Sequence, residues 1–245
     1  MYKRQPEWPE IVENLLPGQK AADRPDLCCR VFKHKVAQII ADLKSGKVYG
    51  PLDYYFFTIE YQSRGYPHCH AICRFRNDDA FTNMDSWVWA QLPSPDIAGG
   101  RLREAVLKHM VHRPCGSHNV DAACMEINKT TKKKICNKHF PQPFRSTAVV
   151  NEHTGRAEYK RIVNGDRPSI RQFIRGQWVD VEIGNEWIVS YSPYLLLKYQ
   201  CHICVDIVTG SSGVKYLFKY VTKGGHMAKA RVAGITSEIE QYPKN

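Results

Sequence analysis

The sequence predicts an α+β fold in which helices flank an antiparallel sheet. Residues 56–61 are rich in aromatic and β-branched side chains, and a turn containing Gly and Pro separates them from a second strand-like run, which is typical of a hairpin. Residues 31–43 instead repeat their apolar side chains with helical spacing. A third stretch, 112–144, is rich in Cys, His, Pro and Lys and poor in apolar residues, which favours a segment held together by a metal ion.

Composition and charge favour a polyanionic partner. The chain has 245 residues, of which 43% are hydrophobic, and this is enough material for one large domain. Its net charge is +11, and the basic residues are spread along the chain, which favours a binding groove over a detachable tail. No apolar run approaches the ~20 residues of a membrane span, so we expect a soluble protein without a membrane partner. Nine cysteines without a secretory signal favour a reducing compartment, where cysteine clusters more often bind metal than form disulfides.

The first elements of the chain are helical. Residues 1–24 are polar and interrupted by proline, and we expect them to form a docking segment with a short helix around Trp8 and Ile11. The next helix begins near Asp26, a suitable N-cap, and ends at Gly46. We expect this helix to pack behind the sheet and assign it no chemistry.

The hairpin that follows contains a predicted cation site. His68 and His70 are two residues apart on the second strand, so both imidazoles point to one face of the sheet. Glu60 and Gln62 share one face of the first strand for the same reason. If the two strands pair as an ordinary antiparallel hairpin, two imidazoles lie beside a carboxylate or amide oxygen. Together these groups form a small site for a divalent cation.

Two further helices and a second predicted metal site follow. We expect helices over residues 77–92, which contain Trp87 and Trp89, and over residues 102–110. Beyond them, three thiols and one imidazole form a series that predicts tetrahedral, structural zinc, since all four ligand positions are filled. The ligands in this prediction are His112, Cys115, Cys124 and Cys136, with His139 as an alternative to His112 and His118 as a weaker candidate.

The region after the cysteine-rich stretch alternates strand-like runs with turns. Residues 156–163, 178–183 and 187–191 extend the sheet or form a flap that faces DNA, and Ser192-Pro193 opens a short helix that reaches Tyr199. Residues 201–208 read as a buried strand. Because Cys201 and Cys204 fall on opposite faces of such a strand, we do not assign them to a metal site.

A helix near the end of the chain contains two candidate nucleophiles. Tyr216 and Tyr220 are four residues apart and therefore share one helix face. A phenolate close to a metal ion can attack a phosphodiester and form a covalent intermediate. Lysines form a parallel stripe that suits phosphate binding: Lys215, Lys219 and Lys223.

These motifs together resemble the HUH endonucleases, and most closely the replication-initiator domain of Helitron transposases. The resemblance rests on residues 60–70, which contain the two histidines, and on residues 215–220. The cysteine series at residues 112–116, 123–125 and 136–141 is also similar to that domain. His202 and Asp206 correspond to positions of the same pattern, and Asp206 is a reserve candidate for the third metal ligand.

The resemblance implies a central antiparallel sheet of about five strands, an HUH/RRM-like palm flanked by helices, with a zinc-stapled insertion. It implies an endonuclease domain over residues 25–225, which includes the zinc-binding insertion at 109–145. Residues 226–245 form an exit segment towards a helicase that the chain lacks, so we expect the chain to be one domain of a larger transposase in the nucleus.

The implied function is a metal-dependent endonuclease and strand transferase of rolling-circle transposition, which nicks single-stranded DNA at transposon ends through a covalent 5′-phosphotyrosine. Its implied cofactors are Mg²⁺ or Mn²⁺, held by His68, His70 and either Gln62 or Glu60, and structural Zn²⁺. The remaining site residues in this prediction are Tyr216, Tyr220 and Lys219 for catalysis, with Tyr216 favoured as the first nucleophile, and Lys215, Lys223 and Arg64 for DNA binding.

Two alternatives remain open at this stage. A plasmid or viral replication initiator, or a conjugative relaxase, uses the same chemistry in another biological role. A catalytically inactive, zinc-stabilised DNA-binding module retains the fold without the reaction.

Overall fold

The hairpin forms the main sheet of the protein. The computed structural model describes residues 2–3, 7–61, 67–76 and 83–209. Strands β1 (Tyr2–Lys3), β2 (Leu52–Tyr61) and β3 (Pro67–Phe75) form a three-stranded antiparallel sheet in the order β1-β3-β2. The predicted hairpin is therefore present, and its first strand begins before the predicted residue 56.

Helix α2 (Pro25–Lys44) covers one side of this hairpin, with α1 (Pro9–Val12) beside it. The helix begins one residue before the predicted cap because Pro25, which has no N–H to satisfy, fits the first helical position. Asp26 lies in the first turn and forms an ion pair with Arg24. Spacings of three and four residues give α2 a single buried stripe, made of Cys28, Phe32, Val36, Ile40 and Leu43.

A second core surrounds helices α4 (Arg101–His109) and α5 (Pro193–Tyr199). The prediction for α5 is confirmed, since the Ser192 hydroxyl accepts a hydrogen bond from the Leu195 N–H and Pro193 occupies the first turn. Of the helix predicted over 77–92, residues 77–82 lie outside the described residues, and the described part is helical only over the single turn α3 (Met84–Trp87), so the prediction is wrong over 88–92. Trp89 instead exchanges backbone hydrogen bonds with Tyr191, at 2.9 and 2.8 Å, so the chain is extended there.

The other strands are short and form separate two-stranded antiparallel sheets among the described residues. The pairs are β4 (Met125–Ile127) with β5 (Lys134–Cys136), β6 (Val149–Val150) with β7 (Ala157–Glu158), and β8 (Ser169–Ile174) with β9 (Gln177–Glu182). Short 3-10 turns lie at Ala21–Asp23, Ile97–Gly100 and Asn185–Trp187. A mixed fold of helices and antiparallel sheets is thus confirmed, whereas the part of the chain described here shows no single central sheet of about five strands.

The strand predicted over 201–208 is wrong. Within this stretch Ile203 and Cys204 are in isolated β-bridges, that of Cys204 with Tyr191, and the remaining residues form no strand. Their backbone groups find other partners, because the Val205 N–H donates to the Ser190 carbonyl and the Ile207 N–H donates to the Tyr159 hydroxyl. Within the described ranges, every helix is too short or too polar to cross a membrane.

Candidate metal centres

Glu60, His68 and His70 meet on one face of the hairpin. In the register of β2 and β3, Glu60 lies opposite His68 and Thr58 lies opposite His70, so all four side chains point to the same side. One carboxylate oxygen of Glu60 lies 3.1 Å from Nε2 of His68 and 3.6 Å from Nε2 of His70. The three side chains are only 15%, 8% and 7% exposed, so the sheet brings a carboxylate and two imidazoles together away from bulk water.

The arrangement fits a divalent cation. The three donor atoms lie within 4.8 Å of one another, which is close enough for a shared ion. A carboxylate with two imidazoles suits Mn²⁺ and its neighbours in the first transition series, whereas Mg²⁺ prefers oxygen donors and keeps its water ligands. The chemistry of the donor set therefore supports a cation here without fixing which one.

The second cluster contains three thiols and one imidazole. Cys124 directly precedes β4 and Cys136 ends β5, and the pairing of Met125 with Cys136 brings both thiols to one end of this small sheet. His112 follows α4, and its N–H donates to the Trp187 carbonyl at 2.8 Å. Cys115, which is 2% exposed, is the fourth member.

The distances in this cluster match tetrahedral zinc. Nε2 of His112 lies 3.7 Å from the Cys115 sulfur and 3.5 Å from the Cys136 sulfur. Zn–S and Zn–N bonds of about 2.3 and about 2.0 Å at tetrahedral angles place such atoms about 3.6 Å apart. All four donors lie within 4.8 Å of one another, whereas His139 and His118 are exposed and belong to neither cluster.

Burial affects the imidazole and the thiols of this cluster in opposite ways, keeping the imidazole ready to bind a cation and opposing ionisation of the thiols. Burial lowers the pKa of His112, which keeps its imidazole neutral, and the ring stacks on Phe140 at 4.2 Å. Burial raises the pKa of the Cys115 thiol to about 12 and also raises that of Cys124. Burial opposes ionisation of Cys136 as well, but hydrogen bonds from the backbone N–H groups of Phe140 and Lys138 outweigh it and lower its pKa. A bound cation stabilises all three thiolates.

Asp206 and His202 do not join the hairpin cluster. The Asp206 carboxylate accepts a hydrogen bond from the Tyr159 hydroxyl, and its burial raises its pKa. Nδ1 of His202 donates to the His109 carbonyl at 2.8 Å. The carboxylate placed with the two hairpin imidazoles is Glu60, and Asp206 is not part of that cluster.

Several predicted site residues lie outside the described residues. They are Gln62 and Arg64 in the hairpin turn, and Lys215, Tyr216, Lys219, Tyr220 and Lys223 near the end of the chain. Their roles remain predictions.

Sequence reasoning missed the turn between β8 and β9 and the aromatic pair beside it. Arg175 and Gly176 both have positive φ angles, 48° and 84°, which is the geometry of a two-residue hairpin turn. Phe173 lies opposite Trp178, and both rings are exposed. The sequence signal for this hairpin was Arg175-Gly176, a residue followed by Gly between two runs in which polar and apolar side chains alternate.

A comparison with protein families identifies a related domain. The family described as "Helitron helicase-like domain at N-terminus" matches residues 4–73. This stretch includes α2, the whole of β2 and both hairpin histidines. No curated protein matches the chain. Over residues 4–73 the chain is therefore similar to the Helitron helicase-like N-terminal domain, which confirms the resemblance predicted from the hairpin motif.

Proposed function

We propose that the chain is the metal-dependent, single-strand DNA endonuclease and strand transferase of a Helitron-type rolling-circle transposase. The observation that supports this most directly is the buried cluster of Glu60, His68 and His70, which lies within the stretch similar to the Helitron domain. The net charge of +11 suits a DNA substrate. A larger HUH-type palm of about five strands belongs to the same proposal.

In this proposal the hairpin residues position a cation, and that cation when bound polarises the non-bridging oxygens of the scissile phosphate. Glu60 contributes the negative charge of the site, and the two imidazoles act as neutral ligands. The surrounding sheet excludes water from the donor atoms, which strengthens their electrostatic interactions.

The proposed nucleophiles are Tyr216 and Tyr220. The phenolate oxygen of one tyrosine forms a bond to phosphorus, the bond from phosphorus to the 3′ oxygen breaks, and the 3′ oxygen takes up a proton. The product is a 5′-phosphotyrosine and a free 3′-hydroxyl, and attack by another 3′-hydroxyl reverses the step and joins strands. Lys219 supplies positive charge near the phosphate in this proposal.

The zinc cluster has a structural role in the same proposal. Three thiolates and one imidazole leave no position open for water, so this site stabilises the segment around β4 and β5 without catalysing the reaction. A catalytically inactive DNA-binding module with the same zinc cluster is the competing outcome of the test below.

The test uses end-labelled single-stranded DNA that spans a candidate transposon end, with Mn²⁺, and a denaturing gel that retains protein–DNA adducts. We expect a covalent adduct whose formation is lost in the Tyr216→Phe/Tyr220→Phe double variant. His68→Ala should also abolish the adduct, whereas the matched change at an exposed histidine, His153→Ala, should leave it unchanged.

Two results contradict the proposal. An adduct that persists in the double tyrosine variant assigns the nucleophile elsewhere. Tight DNA binding without any adduct, across many oligonucleotides and with both Mn²⁺ and Mg²⁺, identifies a DNA-binding module instead.

A further inference from the structure

The β8–β9 hairpin presents an aromatic face that the proposed reaction does not use. Directly opposite residues on paired strands share a face, and on this face Phe173 lies opposite Trp178 and Arg171 lies opposite Asp180. Phe173 is 54% exposed and Trp178 is 60% exposed, with ring centroids 5.3 Å apart. The other face turns inward, with Gln172 and Val181 buried.

The hairpin is fixed against the zinc cluster. The Gln172 side-chain amide donates to the carbonyl of Pro114 at 3.2 Å, one residue before the Cys115 thiol. Ile170 and Ile183 pack in the same core as Cys115 and Cys136. The aromatic pair is thus displayed on a rigid support.

Basic residues lie on the aromatic face and on the segments next to it. The guanidinium of Arg171 lies 5.8 Å from the centre of a Trp178 ring. Asp121 accepts hydrogen bonds from Arg175 in the turn and from Lys134 on β5, both at 3.2 Å, so the turn and the lysine-rich end of β5 are neighbours. Two further exposed lysines, Lys132 and Lys133, precede Lys134. Three acidic residues lie on or next to these segments, and five basic ones do. The acidic residues are Asp121, Asp180 and Glu182, and the basic residues are Arg171, Arg175, Lys132, Lys133 and Lys134.

We propose that the exposed face of β8–β9, with the lysine-rich end of β5, is a second binding surface for single-stranded DNA. In this arrangement bases stack on Trp178 and Phe173, and the phosphates contact Arg171, Arg175 and Lys134. Stacking on aromatic rings tolerates any base sequence, so the surface holds the strand without selecting the cleavage site. The choice of DNA as ligand rests in part on the proposed function, but the binding itself requires no cleavage.

The experiment separates binding from cleavage. The full chain with Tyr216→Phe/Tyr220→Phe is titrated into a fluorescein-labelled oligothymidylate and into an abasic oligonucleotide of equal length, without a chelator so that any bound zinc stays in place. Trp178→Ala should weaken binding of the oligothymidylate roughly fivefold to hundredfold. Binding of the abasic strand should change by less than about twofold, because its phosphates are unaltered.

Matched variants test whether the loss of affinity in Trp178→Ala comes from lost stacking. Tyr194→Ala removes another exposed ring, 42% exposed on α5, and should leave both affinities unchanged. Trp178→Phe keeps a stacking surface and should restore most of the affinity that Trp178→Ala loses. Arg171→Gln should weaken binding of both oligonucleotides alike, whereas Arg30→Gln on α2 should weaken neither.

A second readout is the intrinsic fluorescence of Trp178 in the otherwise unchanged chain. All five tryptophans lie in the described part of the chain, and Trp178 alone among them is exposed. Saturating oligothymidylate should therefore quench the intrinsic fluorescence, and Trp178→Phe should remove the quenching.

Two outcomes overturn the inference. Equal losses for the two oligonucleotides in Trp178→Ala show that the ring has a structural role, and an absence of quenching at saturation shows that bases do not reach it. Trp178-dependent binding, combined with no covalent adduct from the parent chain that retains both tyrosines, would reject the nuclease proposal while leaving this surface intact.

Discussion

At the scale of single residues, the position of Glu60 controls the hairpin site. One of its carboxylate oxygens lies within 3.1 Å of one imidazole and 3.6 Å of the other. Three partly dehydrated donors on a short, paired segment are preorganised, because neither strand has to move to bring them together. If a cation binds here, the negative charge of Glu60 is expected to contribute most to its affinity.

We expect Glu60→Gln to weaken Mn²⁺ binding by at least about tenfold, because the amide keeps the shape of the side chain but loses its charge. Titration of the chain with Mn²⁺, followed by electron paramagnetic resonance of the free ion, measures this affinity. Glu13→Gln changes an exposed carboxylate and should leave the affinity unchanged. Unaltered binding in Glu60→Gln would remove this residue from the ligand set.

The choice among candidate ligands could be predicted only in part from the residue order. Alternation along a strand puts Glu60 and Gln62 on one face, and it puts His68 and His70 together on the next strand. It does not decide which of Glu60 and Gln62 is closer to the imidazoles. For the second cluster, the contact of His112 with two thiols depends on how α4 meets Trp187, which spacing along the chain does not reveal.

At the scale of elements, the pairing of β4 with β5 brings Cys124 and Cys136 of the cysteine cluster together. Each strand has only three residues, and an isolated two-stranded pair is at best marginally stable in water. A metal ion held by Cys124, Cys136, Cys115 and His112 would add stability to this pair.

We expect Cys136→Ser to release about one equivalent of zinc per chain and to lower the unfolding temperature by several degrees. Metal analysis of the purified protein and thermal unfolding measure the two effects. Cys204→Ser is the matched control, since Cys204 belongs to neither metal cluster, and it should retain the zinc. Full zinc content in Cys136→Ser would contradict the assignment.

Helices α2 and α5 are joined by one carboxylate. Asp42 accepts hydrogen bonds from Lys198 and from the Tyr199 hydroxyl, all at 2.7 Å. Burial acts to raise the pKa of Asp42, but these two donors outweigh it and hold the pKa below its ordinary value. A carboxyl whose pKa is lowered by folding contributes stability above its unfolded pKa of about 4, and that contribution is lost as the pH falls through the folded pKa.

Asp42→Asn should therefore lower the free energy of unfolding by about 1 kcal/mol at neutral pH, because the contact is charged but lies near the surface. The difference from the parent protein should shrink as the pH falls below about 4. Urea unfolding at several pH values measures this difference in the free energy of unfolding. Asp53→Asn, which breaks an exposed pair with Arg76 at 3.7 Å, should have little effect at any pH. A difference that grows in acid would contradict this sign.

At the scale of the whole molecule, the main feature is the net positive charge. A charge of +11 attracts any polyanion and favours rapid association, but it selects neither a base sequence nor a reaction. In the proposals above, the hairpin cluster supports the reaction, and the aromatic face of β8–β9 holds the strand whatever its base sequence.

We expect the affinity for single-stranded DNA to fall roughly tenfold to hundredfold between about 50 and about 200 mM salt, as for about three to five phosphate contacts. Anisotropy titrations at several salt concentrations give the slope. Arg171→Gln should reduce its magnitude by about 0.7, the value for one lost contact with a single strand. An affinity that is independent of salt would show that phosphates contribute little.

The predictions failed where distant segments compete for the same backbone groups. Residues 201–208 have the composition of a strand, yet their N–H groups bond to the Ser190 carbonyl and the Tyr159 hydroxyl. Residues 88–92 were predicted as helix, but Trp89 pairs with Tyr191 about a hundred residues later. No local pattern contains such partners.

The sequence by itself determined the hairpin, the long helix α2, the capped helix α5 and the resemblance to the Helitron domain, since each depends on neighbouring residues. The tertiary structure alone decided that Glu60 meets both imidazoles, that His112 completes the cysteine cluster, and that Trp178 and Phe173 stay exposed. These outcomes depend on register and on packing between segments far apart in the chain, where the free energy comes from contacts that local sequence does not encode.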